Sequence, residues 1–280
     1  MVYAMTIQYG RFTRGGARNI RQKAANLGLC LATLSLLFLV TSCRKQAAAS
    51  SDDSPARPAG DVIAEADTLY ASRGDLTRVR QGLIALRHSQ ATEAGSYDLA
   101  WRLAKFNYYL GSHSPDDTER DKAFSDGIEA GKLAVKLQDG KPEGHFWLGA
   151  NYGGSAKVSM LSGLSEITEI KREMETVLKL DEGYSAGSAY MVLGQVYLEA
   201  PRLLGRDTQK AIDYFQKGLP FGPNNSLLRW HLAQAYADAN RKEDARKEID
   251  TLLTMKFDPT YEPEHKEAVE KAQQLAEKLK

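Results

Sequence analysis

Cysteine is almost missing: Cys30 and Cys43 are the two thiols in 280 residues. Beyond residue 43 the chain has none, which excludes a disulfide framework, a thiolate-held metal and a cysteine nucleophile. Histidine is sparse as well. His88, His113, His145, His231 and His265 include no pair at i, i+4, and neither H-E-x-x-H nor G-x-S-x-G occurs. The glycine-rich stretch Gly149 to Ser155 lacks the Gly-Lys-Ser/Thr end of a phosphate cradle and follows a helical pattern, so it predicts a helix C-terminus and turn. The carboxylate pairs Asp52-Asp53 and Asp116-Asp117 fall in a polar stretch and at a helix start, where solvation and capping account for them. The sequence therefore predicts no enzyme, no cofactor and no metal. Strands are not expected either, because no segment alternates apolar and polar residues for long.

Net charge is close to absent at +1, but this hides an asymmetry. Residues 1–42 hold Arg11, Arg14, Arg18, Arg21 and Lys23 and no acid; of the 37 bases, 32 remain in the rest of the chain against all 36 acids, a net of −4. An acidic body with dispersed bases does not suit a nucleic-acid backbone. The basic leader runs into the apolar segment Leu27 to Val40, short of the ~20 residues that a spanning helix needs and right for the apolar part of a signal peptide. Val40-Thr41-Ser42-Cys43 then resembles the bacterial lipobox, in which the cysteine is acylated after cleavage. The sequence thus predicts a signal peptide over residues 1–42 and a lipid attachment at Cys43, with several acyl chains anchoring the chain stably. Arg44, in place of the aspartate that retains lipoproteins at the inner membrane, implies the periplasmic face of the outer membrane. Ala47 to Ser51, Asp52, Asp53, Pro55, Pro58 and Gly60 cannot bury an apolar face. Residues 43–60 are read as a flexible tether with an r.m.s. reach of roughly 20 to 25 Å.

From Asp61 to the end, apolar residues recur at three and four, which predicts an all-α body over residues 61–280. The first helix pair is Val62 to Ser72 and Leu76 to His88, turning at Gly74-Asp75; the second is Tyr97 to Leu110 and Thr118 to Leu137. A third follows Pro142, with Gly144 to Tyr152 and then a long helix through Met160, Leu164, Ile167, Met174, Val177 and Leu178. The fourth pair repeats anchors at Tyr190, Leu193-Gly194, Tyr197, Ala211, Phe215 and Gly218, closing at Pro223. The fifth repeats them at Leu232-Ala233, Tyr236, Ala245, Ile249 and Leu252. Small residues stand where two helices approach closely and large ones where a side chain fills the gap, which is the tetratricopeptide pattern. A superhelical array of about five such pairs is predicted, with Pro263 to Leu279 as a polar capping helix.

The second and third pairs are lengthened, and Glu199 to Asp207 adds five residues to the fourth. With these departures the chain resembles the T component associated with tripartite ATP-independent periplasmic transporters, a lipoprotein of tetratricopeptide-like pairs. The likeness rests on Tyr97 to Leu110, Gly144 to Asn151, Ile170 to Asp181, and Leu193-Gly194 through Glu199-Ala200-Pro201 to Ala211-Ile212. A fainter likeness to animal regulators of microtubule dynamics, in Trp-Leu-Gly, conflicts with the lipobox. The resemblance implies a periplasmic solute-binding protein as partner and uptake of an organic ligand, apolar and acidic. The alternative is an envelope assembly scaffold whose concave groove takes peptide segments, and self-association stays open.

First helices of stacked pairs line the concave side. Two residues before each small anchor stand Trp101, Phe146, Met191 and Trp230, a stripe of large apolar side chains; Lys105, Gln195 and Gln234, then Tyr108, supply polar tips. The same stripe would serve equally as packing between repeats.

Overall fold

A computed structural model describes residues 57–158 and 163–280. Within them are eleven α-helices and no strand, so the all-α expectation holds. The helices are α1 (Ala59–Ala71), α2 (Leu76–Thr92), α3 (Tyr97–His113), α4 (Asp117–Leu137), α5 (Pro142–Val158), α6 (Gly163–Leu180), α7 (Tyr184–Glu199), α8 (Thr208–Gly218), α9 (Ser226–Asp238), α10 (Lys242–Thr254) and α11 (Glu262–Lys278). The signal peptide, Cys43, the tether up to residue 56, and Met160 lie outside the described residues.

Local chemistry sets five of the eleven helix starts. The side chains of Asp75, Ser96, Asp116, Asp207 and Asn225 each accept a hydrogen bond from a backbone N–H two or three residues on. Each such cap contributes about 1 kcal/mol. Helix pairs then close on small residues. A Cβ on Gly194 would stand 2.3 Å from the Phe215 ring and one on Gly131 2.8 Å from the Leu148 backbone, so α7–α8 and α4–α5 approach more closely than alanine permits. Phe106, Phe215, Leu193, Leu228 and Leu232 are among the largest side chains wholly enclosed by this packing.

One expectation needs correction. Gly149 to Ser155 is the interior of α5, not its end, because Met174 of α6 packs onto Gly149 and Phe124 of α4 onto Gly154. Packing by neighbours outweighs the weak helix preference of glycine here. The described part of the sixth helix, Gly163–Leu180, runs through Ile167, Met174, Val177 and Leu178 as expected.

Consecutive helices joined by short turns run antiparallel, so the odd-numbered ones run parallel. They also touch each other in succession, α1 on α3, α3 on α5, α5 on α7, α7 on α9 and α9 on α11, which puts them on the inside of the curve. The curve then closes. Arg73, just after α1, is 2 % exposed and forks onto Glu264 of α11, with Nε–Oε1 at 2.8 Å and Nη2–Oε2 at 2.5 Å. Its Nη2 also donates to the Thr260 carbonyl at 2.6 Å, and Pro263 lies 3.9 Å from a Cβ built on Gly74. The turn after α1 therefore meets the start of α11, and the described helices close into a ring within one compact unit.

Candidate functional site: the inner wall of the ring

The inner faces of α3, α5 and α7 carry a file of aromatic rings. Tyr108 lies 5.7 Å from Trp147, Trp147 meets Phe146 edge-on at 5.0 Å, and Phe146 lies 5.2 Å from Tyr184. Phe146 itself is buried among Ile170, Met174, Val177, Ala189 and Leu193, so it belongs to the packing between helices. Trp147, half-buried, is its neighbour on the side of Tyr108. Burial, followed by the nearby Glu143 carboxylate and Tyr97, drives the Tyr184 phenol well above its ordinary range and keeps it neutral. Met191 and Trp230 are half-buried against one cluster that includes Leu198, Phe215 and Leu232.

Near α1 the wall carries Trp101 and Lys105. The Lys105 ammonium sits 3.9 Å from the Tyr70 ring centre and 5.8 Å from that of Trp101. Desolvation foremost, with repulsion from Arg73 and Arg102, pushes the Lys105 amine down to about 8, although Asp67 and Glu264 oppose this. Those acids are engaged elsewhere: Asp67 holds Arg102 at 2.9 Å and Glu264 holds Arg73.

A polar belt gathers around Lys157 at the end of α5. Its ammonium pairs with Glu199 of α7 at 3.1 Å and interacts with Tyr108 of α3 and Glu267 of α11. His231 of α9 feels Lys157 and Lys271, and desolvation above all, then these two cations, drive its imidazole down to about 3. It is therefore neutral, accepting at Nε2 from the Gln195 amide. Its Nδ1 is enclosed and meets no partner of good geometry among the described residues, with Gln234 alongside. Groups from α3, α5, α7, α9 and α11 thus converge on one place. The Lys157 side chain is 60 % open to water; burial lowers its amine most, but Glu199, Tyr108 and Glu267 together raise it above the ordinary lysine range.

The structure thus brings Trp101 to Lys105, Tyr108 to Trp147, and Gln195 with Gln234 to His231; it sets Met191 and Trp230 against one core cluster and places Phe146 in the packing. Sequence reasoning missed Trp147, Lys157, Tyr184 and His231. Trp147, Ala150, Gly154 and Lys157 do share a helical face, three and four residues apart, which was the available signal. Among the described residues no cluster of His, Cys, Asp or Glu could hold a metal ion, and no helix is long and apolar enough to cross a membrane.

Solved structures of low identity share the fold. The thermophilic TPR protein TTC0263 of Thermus thermophilus is similar with a TM-score of 0.59 at 17% identity, over 78% of this chain and 100% of that one. The structure of pilF from Pseudomonas aeruginosa is similar with a TM-score of 0.50 at 16% identity, over 79% of this chain and 92% of that one. No curated protein matches the chain. The family described as TRAP transporter T-component matches residues 114–280, which span α4 to α11 and more than half of the sequence, and the chain belongs to that family.

Proposed function

We propose that this protein is a lipid-anchored periplasmic module at the outer membrane that holds an organic ligand inside its ring and exchanges it with the solute-binding protein of a TRAP-type transporter. The closed inner wall is the observation that carries this reading. Arg73 and Glu264 join the ends, and the rings of Tyr108, Trp147 and, by way of Phe146, Tyr184 run along neighbouring inner helices. An apolar ligand body suits the aromatic end. Lys105, which makes ring contacts but no carboxylate pair among the described residues, offers a charge to an acidic group without breaking an ion pair described there. The protein contributes binding, orientation and exclusion of water, and no catalytic step is assigned to it.

Native mass spectrometry of the purified protein tests the reading. A bound small molecule is expected, retained by the wild type and weakened by Trp147→Ala and Lys105→Met with the fold intact. Binding of extended peptides in place of a small molecule would favour the assembly scaffold. The anchor is tested separately: Cys43→Ser should abolish labelled-palmitate incorporation and release the chain from membranes. A variant that is still acylated ends the lipobox assignment.

A further inference from the structure

The α7–α8 connection is longer than a plain helix pair requires, and the extra length holds one residue out into water. Leu203 is 98 % exposed, against 69 % for Ile84, the next most exposed large apolar residue described. A leucine in a slack loop would fold back. Here Pro201 leads into a single 3₁₀ turn over Arg202–Leu204, and Gly205 closes it at φ +94°, its N–H donating to the Arg202 carbonyl at 3.3 Å. Asp207 N–H pins the return to the Tyr197 carbonyl at 2.8 Å, and Arg206 pairs with Asp238 at 3.1 Å. The turn is built to present its tip.

Its chemistry is as specific as its shape. Arg202 and Arg206 flank the leucine with no acid between Ala200 and Arg206; Arg206 is held by Asp238, and Arg202 makes no ion pair among the described residues. Lys157–Glu199 ties the end of α5 to the end of α7, so Val158, 41 % exposed, shares this rim with Leu203. The belt around Lys157 opens on the same rim. A partner seated here would cover the mouth of the inner wall.

We propose that Leu203, between Arg202 and Arg206, is the knob by which the ring docks an acidic protein partner that offers an apolar recess, namely the solute-binding protein; only the partner's identity rests on the carrier reading. Arginines on both sides of a protruding apolar anchor suit an acid-rimmed pocket on a protein. A lipid surface is less suited, because attachment through headgroups calls for clusters of about four to eight bases. The described chain begins at the start of α1, and the odd helices run parallel, so the Leu203 rim is at the opposite end from that start.

The test uses full-length protein in detergent against the purified solute-binding protein of the same transporter, by interferometry at several salt concentrations. Leu203→Asp should weaken binding on the order of ten- to a hundredfold, the range expected when one buried leucine is lost from a contact. The double variant Arg202→Glu, Arg206→Glu should weaken it and flatten its salt dependence, whereas Leu253→Asp on α10 should leave it unchanged. Leu203 is exposed, so its variant should keep the wild-type circular dichroism and any bound small molecule. Unchanged affinity of Leu203→Asp, or no binding by the wild type, overturns the proposal. So does a Leu203→Asp variant that loses only its attachment to phosphatidylglycerol vesicles, or only its self-association. A wild type that docks but carries no small molecule upholds the knob and defeats the carrier reading alone.

Discussion

Breaking the Arg73–Glu264 junction should open the ring, and the two halves of the pair should not cost the same. Removing Glu264 leaves the Arg73 guanidinium, 2 % exposed, without a counter-charge, and stranding a buried cation costs about 3 to 5 kcal/mol. Removing Arg73 leaves a carboxylate that is 22 % open and can hydrate, which brings the loss down to about 2 kcal/mol. In a body of this size each kcal/mol moves the melting midpoint by ~2 to 4 °C, so Glu264→Ala should lose about 6 to 20 °C and Arg73→Ala about 4 to 8 °C. The contact also joins helices about 190 residues apart in sequence, so its loss should enlarge the particle as well as weaken it. Melts followed by circular dichroism, with radii of gyration from small-angle scattering, give both readouts. If Arg73→Ala is as damaging as Glu264→Ala, the burial asymmetry is wrong. If neither variant shifts the midpoint or the radius, the ring is not held shut by this pair.

His145 makes stability depend on pH. Its Nδ1 and Nε2 face the Glu173 carboxylate at 2.6 Å and the Asp139 carbonyl at 2.8 Å, both acceptors, so the ring is held as imidazolium and the Glu173 contact above all raises its pKa above 6.5. That stabilisation is complete below pH ~6.5 and fades as pH rises through the raised folded value; the melting midpoint should fall over that window, and His145→Gln should flatten the fall. Gly187→Ala should destabilise by about 2 to 4 kcal/mol in denaturant titrations, because φ is +74° and the new Cβ would meet the Gly218 carbonyl oxygen at 2.6 Å. Ala186→Gly, at φ +55°, should instead be neutral or stabilising by up to ~1 kcal/mol. Gly194→Ala should cost about 1 to 3 kcal/mol, since the Phe215 ring that it would press on is wholly enclosed.

The helix pairs were legible because their signals are local: periodic apolar residues, Asp, Ser or Asn before a helix, and a glycine where the partner helix crosses. Tyr190, Leu193-Gly194, Phe215 and Gly218 are buried or close-packed as that pattern requires. Even the kink at the start of α7 left a trace. Ser185, Ala186 and Gly187 are left-handed, so regular helix begins at Ser188, where the repeat first becomes readable. The inner wall was harder. Phe146 and Trp147 are adjacent and both large, and a helix turns 100° between them; which one packs and which one faces Tyr108 is decided by Ile170 and Met174 on another helix. Ring closure had no local signal at all. Arg73 reads as an ordinary turn residue and Glu264 as an ordinary acid in a polar first turn, and only the accumulated curvature of ten helices brings them together. The convergence on Lys157 follows from that closure and was hidden with it.

An open stack of repeats can lose or gain a unit and remain a stack, which is why such proteins vary so freely in length. A ring does not have that freedom. One extra helix pair would carry Glu264 past Arg73, and one fewer would leave it short, so the junction counts the repeats. Growth is then confined to places that do not alter the angle from pair to pair: longer helices and longer connections. This chain puts its additions there, in the 21 residues of α4, the 18 of α6 and the turn that carries Leu203. Duplicating or deleting one pair should therefore yield an unstable open array, while lengthening the Leu203 turn by a few residues should be tolerated.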